Sequence, residues 1–176
     1  PPLLENNVCN IYDTLTNNII KRNKEFYKQY PKDISKVKKI VSLLKKKPFH
    51  LPDGGDFTAE RFLDMGMILG ATGGLNLLHN LLDDPFVNGD EKAISYIFAR
   101  TSADRTSFET NPIYAVLHES IYCNGIISNW AANKNLDSKK EFSLSATNIF
   151  FYGETIRRSM FKDYAMLQPF KKAAAI

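Results

Sequence analysis

Apolar side chains recur every three or four residues through the opening quarter of the chain, and that period constrains the fold more than any other feature. Val8, Ile11, Leu15, Ile19 and Phe26 form one stripe, ended by Pro31. This spacing puts them on one face of a long amphipathic helix over residues 8–30. A second stripe, Ile34, Val37, Val41 and Leu44, predicts a helix from Asp33, read as its N-cap, to about Lys47, where Pro48 stops it. Turn residues fill positions 51–56, after which Thr58 caps a third helix with Phe57 and Phe62 as a hydrophobic staple. Gly70, Gly73 and Gly74 separate that helix from an apolar one over residues 75–82, and Gly89-Asp90 opens a further segment over 91–100. Asn111-Pro112 starts another helix, with proline at the first helical position. It is expected to end or bend at Cys123-Asn124-Gly125. The next helix carries Trp130, and a last helical region covers about 155–166. Only residues 145–152 have the aromatic and β-branched density of a strand, and they suit a buried helical entry equally well. With no repeat and no Gly/Ser linker, the expectation is an all-α fold, one domain over residues 1–176 of about seven or eight helices.

Composition narrows the function classes. Of 176 residues, 44% are hydrophobic and 24% charged, which excludes disordered and collagen-like classes. No apolar run approaches the ~18 residues of a membrane span, so a soluble chain with no membrane partner is expected. Cys9 and Cys123 form no CxxC pair and no secretory segment precedes them, which fits a reducing, cytoplasmic setting. Pro1 stands where an initiator methionine would, so the chain is expected to be a piece of a longer one. The net charge of +4 is uneven: residues 21–47 hold eleven Lys and Arg against Glu25 and Asp33, a local +9, and the rest sums to −5. Such a segment suits either the wet face of two helices or a patch for an acidic partner or nucleic acid. The lysines fall between the apolar positions of the second stripe and only Arg22 could read a base bidentately, which favours the solvated face.

Catalytic equipment is sparse. Gly-x-Ser-x-Gly, whose small neighbours permit the strained turn that exposes a nucleophilic serine, is absent. His50, His79 and His118 show no metal-type spacing, and Gly70-Ala71-Thr72-Gly73-Gly74 lacks the strand and the Gly-Lys-Ser/Thr of a phosphate loop. No catalytic residue, metal ligand or cofactor is assigned, and the chain alone is not read as a self-sufficient enzyme. Between Asn111 and Phe161, however, Tyr114, Tyr122, Trp130, Phe142, Phe150, Phe151, Tyr152 and Phe161 accompany Glu119 and Glu154. Carboxylates among rings suit an ammonium ligand with an apolar body. Packing of the rings as core, with both glutamates at solvated helix ends, is the competing reading.

The run Thr106-Ser107-Phe108-Glu109-Thr110-Asn111-Pro112-Ile113-Tyr114-Ala115-Val116-Leu117-His118-Glu119-Ser120-Ile121-Tyr122-Cys123, followed by Asn129-Trp130-Ala131-Ala132, resembles the cap domain of the larger proline iminopeptidases (prolyl aminopeptidases) of the α/β-hydrolase superfamily. Arg61-Phe62, Gly70 to Gly74 with Leu78-His79 and Leu81-Leu82, Phe151-Tyr152-Gly153-Glu154, Leu167-Gln168-Pro169-Phe170-Lys171 and the opening Pro1-Pro2-Leu3 agree with flanking family motifs. The chain departs from the family at Asn133, where many members have Glu, and at Tyr152, where they have Thr. The resemblance implies a helical lid that selects peptides with an N-terminal proline for a serine hydrolase. The triad would lie in the enzyme's own α/β-hydrolase core, outside this segment. It further implies that Glu154 and Glu119 grip the free amine, and that Tyr122, Trp130 and Phe151 are substrate-binding aromatics. Nucleic acid is not an expected partner on this reading.

Overall fold

The computed structural model describes residues 8–174. In chain order it contains α1 (Val8–Gln29), α2 (Asp33–Lys46), β1 (Phe49–His50), β2 (Asp56–Phe57), α3 (Ala59–Leu63), α4 (Gly74–Leu81), β3 (Phe86–Val87), β4 (Asp90–Ile94), α5 (Tyr96–Arg105), α6 (Pro112–Leu117), α7 (Ala131–Asp137), α8 (Met160–Asp163) and α9 (Lys171–Ala174). Four 3-10 stretches join them, at Asp64–Gly70, Ser120–Tyr122, Lys140–Phe142 and Ala165–Phe170. The all-α expectation holds, the only strands among the described residues being two small antiparallel pairs, β1 with β2 and β3 with β4. Helices number nine among the described residues rather than seven or eight, because the second half is divided into pieces of one or two turns. No helix among them is long and apolar enough to cross a membrane.

Local signals account for several boundaries. The Thr58 hydroxyl accepts from Arg61 N (3.1 Å), capping α3, and Phe57 meets Phe62 edge-on at 6.3 Å. On α2 the residues Val37, Ile40, Val41 and Leu44 are buried while Lys38, Lys45 and Lys46 stay exposed, so the basic run is a solvated face. Three expectations are corrected. Asp33 is the first residue of α2, not its N-cap; its buried carboxylate leaves the helix to meet His79 Nδ1 (2.7 Å) on α4. Residues 91–100 are not one helix: β4 turns back on β3, and α5 begins only after Ser95, whose hydroxyl accepts from Phe98 N. The helix from Pro112 ends at Leu117, well before Cys123.

Residues 149–153 are neither strand nor helix. They run extended through the core, and their backbone groups are satisfied by neighbours other than a ladder strand, as buried amides require. On α1, the Asn23 side chain, fully buried, donates to Phe151 O (2.9 Å) and accepts from Phe151 N (2.8 Å), while the Tyr27 hydroxyl donates to Ile149 O. Tyr152 N donates to Leu63 O (2.9 Å) and Phe150 N to Glu141 O (3.2 Å). Gly66 lies so close that a Cβ there would sit 1.9 Å from Tyr152 O. Just beyond, Arg157 Nη2 donates to both carboxylate oxygens of the buried Asp64 (2.8 and 2.7 Å), which also accepts from the Tyr164 hydroxyl (2.8 Å). Arg61 lies over the Tyr164 ring at 4.0 Å, and Arg157 over the Tyr152 ring at 4.7 Å. Burial pushes the Asp64 carboxyl up, against the pull of Arg157. Glu154 is thus carried on a short span whose two ends are fixed in the interior.

Candidate functional site

Three helical turns build the site. On α6 and the turn after it, Tyr114, His118 and Tyr122 follow one another at four-residue spacing, which stacks side chains on one helical face. Their rings touch in sequence: Tyr114 to His118 at 4.8 Å, and His118 to Tyr122 edge-on at 5.7 Å. Tyr122 then meets Tyr12 of α1 edge-on at 6.1 Å, and Phe108 stacks on Tyr114 at 6.0 Å. The Tyr114 hydroxyl donates to the exposed Glu154 carboxylate. Burial first, and the Glu154 charge after it, raise the Tyr114 and Tyr122 hydroxyls, so both keep their protons.

Glu119 occupies the other end of the row. It is only 9% exposed, and its Oε1 and Oε2 accept from the backbone N–H groups of Ala131 (2.6 Å) and Ala132 (3.4 Å). A carboxylate there satisfies two of the four orphan donors that open α7 and lies at the positive end of its dipole. Trp130, the residue before α7, has φ 58°, and Asn129 φ 50°; these left-handed conformations turn the chain sharply into the helix. Trp130 packs edge-on against Phe161 at 6.0 Å. Glu119 and Trp130, with Val116, Cys123, Ile126 and Ile127 among others, line a cavity of about 480 Å³. Burial and then Glu119 raise the Cys123 thiol, leaving it protonated and a poor nucleophile.

Of the five residues singled out from the sequence, the structure brings Glu154, Tyr122 and Glu119 onto one ring-lined row and places Trp130 in the Glu119 cavity. Phe151 lies elsewhere: it is fully buried between Phe26 (6.0 Å) and Phe62 (5.3 Å), behind the span that carries Glu154. Three members of the row were not singled out as site residues: Tyr12, Tyr114 and His118. The four-residue spacing of positions 114, 118 and 122 was the available signal; Tyr12 gave none, since it joins from another helix. Beside the row, Ile113, Leu117 and Ile121 continue a second four-residue series that remains exposed, at 59%, 48% and 45%, and Ile127 is 92% exposed. No group of three or more His, Cys, Asp or Glu among the described residues is placed to hold a metal ion.

Fold and site together describe a helical domain that presents two carboxylates, joined by a row of aromatic rings, next to an exposed apolar face. No family model matches the chain. Over 160 residues, 89% of its length, it is 33% identical to proline iminopeptidase aneH of Aspergillus aculeatus, of which the match covers 35%. Over 168 residues, 93% of its length, it is 30% identical to the proline iminopeptidase of Aeromonas sobria, covering 38% of that protein. The chain is therefore similar to two proline iminopeptidases along about nine-tenths of its own length, and it spans little more than a third of the length of these curated relatives.

Proposed function

We propose that this chain is the helical lid of a prolyl aminopeptidase and that it selects peptides bearing a free N-terminal proline. The observation that carries the reading is the likeness to two proline iminopeptidases over nearly the whole chain, joined to a surface chemistry that suits the role. Glu154, exposed and oriented by Tyr114, offers a charge-assisted contact to a prolyl ammonium, and nearby rings add cation–π attraction. Glu119 offers remaining lone pairs, since a carboxylate has about four acceptor sites and α7 uses two. Tyr122 and Trp130 wall the row and the cavity, and Phe151 supports the Glu154 span from behind. The exposed series Ile113, Leu117 and Ile121 is where an α/β-hydrolase core would cover this domain, because apolar patches of this kind mark interaction surfaces.

In such an enzyme the lid makes and breaks no bonds. Holding the amine fixes the scissile carbonyl against a serine nucleophile outside this segment, and closure removes water from that chemistry. The test is kinetic, in the full-length enzyme that contains this chain. Glu154→Gln should lower kcat/KM for a prolyl chromogenic amide by about tenfold to a hundredfold, the scale of one charge-assisted contact. Unchanged kinetics would remove Glu154 from the site.

A further inference from the structure

His118 stands out among the groups that this reading leaves unused. It is 4% exposed, and neither Nδ1 nor Nε2 has a hydrogen-bond partner in the protein. A buried polar group without a partner is uncommon and calls for an explanation. Groups on three neighbouring elements act on it, and the Ala165–Phe170 stretch, which also packs against α6, carries no titratable side chain. Tyr114 of α6 is in ring contact, Tyr122 and Glu119 come from the turn that follows, and Glu154 comes from the extended span. From α1, Tyr12 reaches the row through Tyr122, and its buried hydroxyl is also unpartnered. The charges acting on the imidazole are the two carboxylates, Glu154 and Glu119. Burial holds the ring below the ordinary imidazole value, against the pull of those carboxylates.

We propose that His118 sets the selectivity of this site for cationic amines: neutral, it places no charge against the two carboxylates, and protonated, it becomes an internal cation that competes with a ligand's ammonium for them. The inference rests on the lid reading above, and makes His118 a positioning residue that acts through Glu154 and Glu119. By linkage, whatever factor protonation of His118 takes from amine binding, amine binding takes from protonation of His118.

The experiment uses the full-length protein with the serine nucleophile outside this segment changed to alanine, so that the probe is not hydrolysed, with L-prolinamide as the cationic probe and N-acetyl-L-prolinamide as the uncharged control. Binding is measured by calorimetry between pH 5 and 8. Prolinamide affinity should fall about tenfold as His118 takes up its proton, and saturating prolinamide should lower the midpoint of the His118 ring resonance, followed by NMR on 13C-labelled histidine, by about one pH unit. In His118→Gln the pH step should vanish. A ring titration unmoved by prolinamide overturns the inference even if the variant does not fold, and so does a pH step that survives in His118→Gln. If prolinamide binds, and Glu154→Gln weakens it, while the His118 results are negative, the lid reading stands and this inference alone falls. Absence of prolinamide binding at every pH defeats both.

Discussion

Replacing Asn23 by alanine removes an amide that stands in for a neighbouring strand. In the folded protein that side chain is fully buried and both accepts from Phe151 N and donates to Phe151 O, across 128 residues of sequence. With the amide gone, both backbone groups are left buried and unpaired, since residues 149–153 have no ladder to fall back on. Each orphaned group costs about 1–3 kcal/mol, so the expected loss is about 2–6 kcal/mol. Against a total stability of about 5–15 kcal/mol this is a large fraction. In urea, with an m-value of ~2 kcal/mol/M, the unfolding midpoint should drop by about 1–3 M. Asn23→Asp sharpens the test, because an ionised carboxylate can accept from Phe151 N but repels Phe151 O. Burial raises the folded-state pKa of the introduced carboxyl above its unfolded value of about 3.9, so its damage is greatest at neutral pH. It should shrink as pH falls through that raised pKa toward ~4, where the protonated acid can donate. A midpoint shift under about 0.5 M for Asn23→Ala, or an Asn23→Asp deficit that does not depend on pH, would refute the reasoning.

Two further outcomes are expected from the same interior. Asp64→Asn strips Arg157 of its buried counter-charge and should cost about 3–5 kcal/mol in urea denaturation, with part recovered when Arg157→Met is added. Gly66→Ala places a methyl where Tyr152 O already lies and should displace the span carrying Glu154; a thermal midpoint within about 2 °C of the parent protein would contradict it.

What could be read from the sequence was what neighbouring residues decide among themselves. Thr58 with Phe57 and Phe62, the lysines that flank Val37 and Val41, and proline at the first position of α6 all act within one or two turns, and each is found as expected. What could not be read depends on partners far along the chain. Asp33 has the chemistry of a cap, yet His79, 46 residues away, takes its carboxylate. Asn23 falls in the gap of the apolar stripe between Ile19 and Phe26, and only Phe151, 128 residues away, gives it a role. The aromatic density of residues 145–152 signalled burial only for 149–152, since 145–148 are exposed or half-buried, and it did not signal conformation, because a segment served by side chains has no pairing strand to predict. At the site, the motif residues Glu119 and Glu154 were legible and the spacing of Tyr114, His118 and Tyr122 was there to be read, whereas Tyr12 joined the row only when α1 was brought against Tyr122.

The bond from Ala131 N to Glu119 also has a mechanical meaning. It joins residues twelve apart in sequence and closes the loop between them, which includes Gly125 and the outward-facing Ile127, so the loop is buckled at its base by a single carboxylate. A buckle made of charge can be loosened by chemistry that leaves a hydrophobic clasp untouched: a proton on Glu119, or a cation drawing its electrons away from the two backbone amides. The first turn of α7 is consequently the place where a visitor to this carboxylate is felt, and the amide protons of Ala131 and Ala132 are its natural gauges.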